Sequence, residues 1–272
     1  MRPLICDENM TKIMHVTPPA GTIDLATHLA DAARLIARHY FRTRPDVTSK
    51  QDESPVTIAD REIELMMRDR IMDRFPDHGI RGEEFPHHQP TADWCWHLDP
   101  IDGTKSFLSG SLCFGTQIGL SYLGKPVLGL IDQPITEERW MSHRENETVF
   151  GDSLAYTSPC TALNEAVLYT SDPFIFSGEQ IPKFDALRNS VLLTRYSHDC
   201  YAAGLLAIGQ IDLLVESGVF AYDIAAQIPV IEGAGGVVTD WSGNAPQLEK
   251  QGNLLAAATA ELHAQALALL QA

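Results

Sequence analysis

The sequence predicts a mixed α/β protein built in two halves, an α+β half followed by an α/β half. Three observations carry this. Two stretches of helical spacing precede a run of short strand-like segments with a hairpin signal, the pattern of helices covering an antiparallel meander. From about residue 166 onward, strand-like and helix-like segments alternate instead. The chain has 272 residues, 44% of them apolar, enough for a large core shared by two closely packed units. The expected boundaries are a flexible leader over 1–21, a first half over 22–153 and a second half over 154–272.

Residues 1–21 contain Pro3, Pro18 and Pro19 and no long apolar run, so a loose leader is expected in place of a signal peptide. Over 23–40, Leu25, Leu29, Ala32, Ala33, Ile36 and Ala37 recur at helical spacing, with Thr22 or Asp24 as the cap. Residues 42–54 are polar and read as a loop. A second helix is expected to open within 55–60. Its apolar stripe would be Ile63, Leu65, Met66, Met67, Ile71 and Met72, and Asp60 stands in its first turn, where the dipole favours an acid. Phe75-Pro76-Asp77-His78-Gly79 ends it. Residues 80–85 read as a solvated turn and 86–93 as a polar loop with His87 and His88 exposed. The apolar run 94–98 is a strand. Further strands are expected over 114–122, 125–132, 138–142 and 148–150, with a hairpin at Leu123-Gly124. In the second half, strands are expected over 167–170, 191–193, 211–216, 237–241 and 254–258. Helices are expected over 181–189, 200–208 and 222–233, and from Glu261 onward.

Composition narrows the function. Twenty Lys and Arg against 36 Asp and Glu give a net charge of −16, which argues against a nucleic-acid partner. The same charge is no obstacle to Mg²⁺ or a cationic substrate. The five cysteines, Cys6, Cys95, Cys113, Cys160 and Cys200, are scattered without a CxxC or zinc spacing, as expected of reduced thiols in a cytoplasmic protein. No stretch reaches membrane-spanning length, and no internal repeat is evident.

The stretch His97-Leu98-Asp99-Pro100-Ile101-Asp102-Gly103-Thr104-Lys105-Ser106-Phe107 organises the rest. It places two acids on a turn at a strand end, where Pro100 fixes its own φ and Gly103 permits a reversal. The plain alternative is a solvated turn. Buried and unpaired, such acids are costly, and a hard cation with oxygen ligands removes that cost. Three other acidic positions lie far off in sequence: Asp60, Glu83 with Glu84, and Asp223 at a helix start. If they converge they form an all-oxygen site without His or Cys, suited to Mg²⁺ or Mn²⁺ and not to zinc. Two or three such ions suit phosphoryl transfer to water. An EF-hand is excluded, because the turn lacks alternating acids and a closing Glu.

Val56-Thr57-Ile58-Ala59-Asp60, Gly82-Glu83-Glu84, Asp99-Pro100-Ile101-Asp102-Gly103-Thr104 and Tyr222-Asp223-Ile224-Ala225-Ala226 resemble, in order, the motifs of the inositol monophosphatase superfamily. Three stretches resemble its histidinol-phosphate phosphatase branch: Gly124-Lys125-Pro126-Val127-Leu128-Gly129-Leu130-Ile131-Asp132-Gln133-Pro134, Asp199-Cys200-Tyr201 and Pro229-Val230-Ile231-Glu232-Gly233-Ala234-Gly235-Gly236. The resemblance implies a layered α-β-α-β-α sandwich, a homodimer, and Mg²⁺-dependent hydrolysis of a small phosphomonoester by direct attack of a metal-activated water. The substrate so implied is histidinol phosphate, in histidine biosynthesis. By the same resemblance, Glu83, Asp99 and the carbonyl of Ile101 hold one Mg²⁺. Asp99, Asp102 and Asp223 hold a second, and Glu83 reaches a third through water; Mn²⁺ is the expected substitute. Thr104 and Glu83 orient the attacking water, Asp60 supports Thr104, and the N–H groups of Gly103 and Thr104 receive the phosphate. Three positions depart from the superfamily pattern: Tyr222 stands where Trp is common, Lys105 where Asn is common, and Ser197-His198-Asp199 where a small run is common.

Asp-Gly-Thr also occurs in haloacid-dehalogenase-type phosphatases. Those need an Asp nucleophile two residues before a second Asp, whereas Asp99 and Asp102 are three apart. A non-enzymatic member of the fold is disfavoured because all the metal acids are present. An inositol monophosphatase, or a broad sugar or nucleotide phosphatase, remains the alternative on substrate. Glu216 and Asp199 are the candidates for binding the cationic part of histidinol phosphate. Asp199 reads equally as a helix N-cap ahead of Cys200.

Overall fold

A computed structural model describes residues 16–43, 47–49, 55–143 and 147–272. In chain order the elements are α1 (Thr22–Tyr40), β1 (Val47–Ser49), β2 (Pro55–Thr57), α2 (Ile58–Arg74), β3 (Gly79–Gly82), β4 (Trp94–Asp102), α3 (Thr104–Ser109), β5 (Gly115–Tyr122), β6 (Lys125–Gln133), β7 (Glu138–His143), β8 (Glu147–Phe150) and β9 (Ser153–Leu154). There follow β10 (Val167–Thr170), α4 (Gln180–Arg188), β11 (Leu193–Tyr196), α5 (Asp199–Ala207), β12 (Leu213–Val219), α6 (Ala221–Ile224), α7 (Gln227–Glu232), β13 (Val237–Thr239), β14 (Gly252–Ala257) and α8 (Ala260–Gln271).

Strands β3 to β9 make a seven-stranded sheet in sequence order, and β10 to β14 a five-stranded sheet in the order β11-β10-β12-β14-β13. Side chains on a strand alternate between faces, and here the alternation sorts the core into layers. Trp96 and Leu98 of β4, with Ile118 and Leu120 of β5, meet Leu29 of α1 and Ile63 and Met67 of α2. On the other side of that sheet, Ile131 and Trp140 pack with α5, α7 and the inner face of the second sheet, including Leu214 and Leu254. Leu213, Val215 and Leu255 point the opposite way, against Phe184 of α4 and Leu262 of α8. The result is the expected α-β-α-β-α sandwich. Gly119 and Gly129 are register partners on β5 and β6. A Cβ at Gly119 would stand 2.9 Å from Ala225, and one at Gly129 would overlap the Ala226 carbonyl. The bare backbone at these two positions lets the α6–α7 segment, which carries Asp223, lie directly on the sheet.

Several expectations shift. Residues 55–57 form a strand paired with 47–49, and the helix starts at Ile58; Pro55 offers no N–H, and Val56 and Thr57 are β-branched. The rest of the expected 42–54 loop, from 44 to 46 and 50 to 54, lies outside the described residues, as do residues 1–15 of the expected leader, with Cys6. Gly21, not Thr22 or Asp24, precedes the first turn of α1, and the Thr22 hydroxyl donates to the Pro19 carbonyl at 2.7 Å. In α2 the buried stripe is Asp60, Ile63, Glu64, Met67, Arg68 and Ile71, whereas Leu65 and Met72 face outward; two charges occupy the middle of the inner face. Residues 79–82 are not a turn but a strand running parallel to β4. The single helix expected over 222–233 is broken into α6 and α7. Pro229 explains the break, because it has no N–H to give the Ala225 carbonyl and its ring clashes with that turn. Cys95, Cys113, Cys160 and Cys200 are free thiols. Among the described residues no helix is long and apolar enough to cross a membrane.

Candidate active site

Two acids three apart on a regular strand would face opposite sides. Asp99 and Asp102 do not. Asp99 pairs with Gln117 and Asp102 with Gly115, so three steps on β4 oppose two on β5. This β-bulge adds one residue at Pro100-Ile101 and turns both carboxylates to the same side. The Thr116 hydroxyl holds the bulge by donating to the Pro100 carbonyl at 2.7 Å. Gly103 follows with φ +87°, a left-handed conformation that side chains disfavour, and α3 begins at once.

Asp223 arrives from α6, and its carboxylate accepts the Phe220 N–H at 2.6 Å. One oxygen from each of Asp99, Asp102 and Asp223 falls within 4.8 Å of the others. Glu83, Ile101, Gly103 and Thr104 border the same cavity, of about 250 Å³. The Thr104 hydroxyl donates to the Ile101 carbonyl at 3.1 Å. Asp60 is buried in the first turn of α2 and does not border the cavity; its charge lies near enough to raise the pKa of Asp99.

The electrostatics of this cluster are unfavourable as they stand. Asp99 is fully buried, and its pKa is raised well above the ordinary carboxylate value by burial and then by Glu83, Asp102 and Asp223. Burial and Asp223 push Asp102 up to about 8, against the opposing N–H of Cys200. Burial is also the main cause that raises Asp223 to about 7. Asp99 Oδ1 is buried with no hydrogen-bond partner among the described residues. A buried acceptor with nothing to accept from, in a set of oxygens drawn together against their own repulsion, fits hard divalent cations.

These raised values set a testable sign. Carboxyls with elevated folded pKa contribute fully to metal-free stability below the ordinary value near 4 and lose that contribution as pH rises through about 7 to 8. A cation that binds the charged forms offsets the loss. The Mg²⁺-induced rise in melting temperature is therefore expected to be small at pH 6 and several degrees larger at pH 8.5. A thermal shift independent of pH would contradict the assignment.

The remaining sequence candidates divide. Asp199 borders the cavity, and its Oδ2 stands 2.8 Å from where a Cβ on Gly103 would be. It is not an N-cap: His198 holds that position, with no side-chain cap bond, and Asp199 is the first helical residue with φ +43°. Burial and Asp102 raise its pKa to about 8. Glu216 is one layer further back, where its two oxygens accept the Ser171 N–H and hydroxyl, each at 2.6 Å. Glu216 itself does not border the cavity; Ser171, which it holds, does, together with Asp172. Sequence reasoning passed over Ser171 and Asp172. They directly follow β10, and residues just beyond the carboxyl ends of strands are the usual ligand positions in such sheets.

Residues 20–272 match the inositol monophosphatase family. The chain is 44% identical over 252 residues to a chloroplastic bifunctional phosphatase of Arabidopsis thaliana, covering 89% of this chain and 73% of that protein. It is 35% identical to a histidinol-phosphatase of Chlorobaculum parvum, covering 85% of this chain and 90% of that protein. A solved inositol monophosphatase from Zymomonas mobilis superposes with a TM-score of 0.84 at 41% identity, over 92% of this chain and 97% of that one. The chain belongs to the inositol monophosphatase family and is a phosphoric monoester hydrolase.

Proposed function

We propose that the physiological substrate is histidinol phosphate, hydrolysed to histidinol and phosphate as a step of histidine biosynthesis. The observation that carries this is the acidic far wall of the cavity. Asp199 and Asp172 border it beyond the Gly103–Thr104 turn, and Glu216 lies behind Ser171. Inositol phosphate presents only hydroxyls to such a wall, whereas histidinol phosphate presents an ammonium and an imidazole. Lys105 sits 3.9 Å from Asp172, but it is largely exposed and offsets little. The resemblance to a named histidinol-phosphatase supports the same choice.

Glu83, Asp99, the Ile101 carbonyl, Asp102 and Asp223 are the residues that would hold two or three Mg²⁺, with Mn²⁺ as a substitute. When bound, the ions lower the pKa of the nucleophilic water and neutralise charge on the leaving oxygen. The chain supplies the rest. The N–H groups at the Gly103–Thr104 start of α3 have no partner within the helix and would receive the phosphate. Thr104 would align the water by accepting a hydrogen bond from it, and Glu83 would take its proton as the water oxygen attacks phosphorus, that proton or one from solvent then passing to the leaving alkoxide. The bond to the substrate oxygen breaks, giving histidinol and inorganic phosphate. Asp60 acts through Thr104. The reading extends to a cytoplasmic homodimer with no nucleic-acid or membrane partner, in keeping with the acidic surface and free thiols.

The test is a phosphate-release panel with Mg²⁺, comparing histidinol phosphate, inositol 1-phosphate, fructose 1,6-bisphosphate and p-nitrophenyl phosphate. Histidinol phosphate should give the highest kcat/KM, and a preference for inositol 1-phosphate would overturn the reading. Asp199→Asn removes a charge-assisted hydrogen bond worth about 1.5–3 kcal/mol. It should lower kcat/KM for histidinol phosphate about ten- to a hundredfold and leave p-nitrophenyl phosphate nearly unchanged. Equal losses on both would show that Asp199 shapes the Gly103 turn and does not bind the cation.

A further inference from the structure

The middle of the buried face of α2 holds an acid and a base one turn apart, Glu64 and Arg68, with 0% and 8% exposure. Apolar residues of similar volume would pack there at least as stably, since a buried ion pair gains little over them. The pair must therefore be explained by what else it touches. Glu64 Oε1 accepts from Arg68 Nε at 2.7 Å, and Glu64 Oε2 accepts the backbone N–H of Glu84, also at 2.7 Å. Arg68 Nη2 donates to the Phe85 carbonyl at 3.0 Å, and its guanidinium lies 5.7 Å from the centre of the Phe85 ring. The pair thus grips the strand-to-loop backbone at a donor on one residue and an acceptor on the next. A Cβ at Gly82 would overlap the Glu64 carboxylate, so the chain wraps that carboxylate as closely as a glycine allows. Between Gly82 and Glu84 stands Glu83, whose own N–H donates to the Leu98 carbonyl at 3.3 Å. Burial raises the pKa of Glu64 against the opposing Glu84 N–H and Arg68. Neither Glu64 nor Arg68 borders the active-site cavity.

We infer that Glu64 and Arg68 are positioning residues, which hold the backbone just after Glu83 by hydrogen bonds to Glu84 and Phe85, with Gly82 packed against the Glu64 carboxylate just before it, and so set the Glu83 carboxylate toward the metal ions. Groups that orient a metal ligand from behind typically contribute ten- to a hundredfold in metal affinity. The inference rests on the reading of Glu83 as a metal ligand and is independent of the substrate. It also explains the charge in the α2 stripe: the pair completes hydrogen bonds to a loop backbone that an apolar pair would leave unsatisfied.

The test measures Mn²⁺ binding to metal-free protein by calorimetry, beside the melting temperature and the kinetics with p-nitrophenyl phosphate. Glu64→Gln should weaken Mn²⁺ binding about ten- to a hundredfold and raise the Mg²⁺ needed for half-maximal turnover by the same factor. KM for p-nitrophenyl phosphate at saturating Mg²⁺ should stay near wild type. Because Glu64→Gln leaves Arg68 buried and unpaired, stability is controlled with the double variant Glu64→Met with Arg68→Met. It should still fold cooperatively, melting about 5–15 °C below wild type for the two loop backbone groups it leaves unpaired, yet bind Mn²⁺ as weakly as Glu64→Gln. A double variant that binds Mn²⁺ like wild type would assign the pair to folding alone and overturn the inference. Glu83→Gln separates the premise: if it binds Mn²⁺ like wild type, the ligand reading fails and the inference falls with it.

Discussion

Replacing Asp102 with Asn is expected to lower Mg²⁺-dependent turnover of p-nitrophenyl phosphate by about 10²–10³-fold, or about 2.7–4 kcal/mol in the barrier, while the protein stays folded. Asp102 is one of the three carboxylates whose oxygens fall within 4.8 Å of one another, and its position follows from the bulge that turns it to the side of Asp99. Asn keeps the shape and still accepts the Cys200 N–H. What it removes is a negative charge that would face a bound cation, the group that would stabilise the leaving oxygen. The loss should appear mainly in kcat and should not be recovered by a tenfold excess of Mg²⁺. Near wild-type turnover at modest Mg²⁺ would refute the role.

The same substitution carries a second, opposite signature. Asp102 is pushed up to about 8 by burial and by Asp223, so above that pH the folded protein must hold a charge it disfavours. Its stabilising contribution is complete below pH 4 and lost as pH rises through about 8. Metal-free Asp102→Asn should therefore melt higher than metal-free wild type at pH 8.5, and the difference should shrink as pH falls and disappear near pH 4. A variant that loses activity and gains stability marks a site held together against its own repulsion for the sake of its ligand.

How much of this was legible in the sequence depends on the range of the forces involved. The α1 spacing, the β5–β6 hairpin at Leu123-Gly124 and the closing helix α8 were readable, because local periodicity and turn chemistry decide them. The convergence of Glu83, Asp99, Asp102 and Asp223 on one cavity was readable because acids gathered in short motifs around turns have few other uses. Three things were not. The α2 stripe was mis-phased because counting apolar residues favours Leu65 and Met72, whereas Glu64 and Arg68 are buried by their bonds to the 84–85 backbone, a contact no local pattern encodes. Residues 79–82 form a strand only because β4 is beside them. That Glu216 accepts from Ser171 with both oxygens, and that Ser171 is the one of the two that borders the cavity, only the fold shows. The split between α6 and α7, by contrast, was written in Pro229 and could have been taken from it.

Thr104→Ala is expected to lower kcat about 10²-fold with KM for p-nitrophenyl phosphate changed less than about threefold, the pattern of an interaction made chiefly in the transition state. Thr104 is the first residue of α3, and its hydroxyl donates to the Ile101 carbonyl at 3.1 Å. That bond uses the hydroxyl proton and leaves the oxygen's lone pairs free to accept on a residue that borders the cavity, so the oxygen can accept a hydrogen bond from a water and align it. Ala has the higher helix propensity at this position, which offsets part of the lost hydrogen bond of about 1 kcal/mol; the melting temperature should move by only about 2–4 °C. Thr104→Ser restores the hydroxyl without the methyl and should recover turnover to within about tenfold of wild type. If Thr104→Ala raised KM alone, the hydroxyl would be a phosphate contact and not a group that orients the water. If Thr104→Ser were as slow as Thr104→Ala, packing of the methyl against the turn, and not the hydroxyl, would account for the effect.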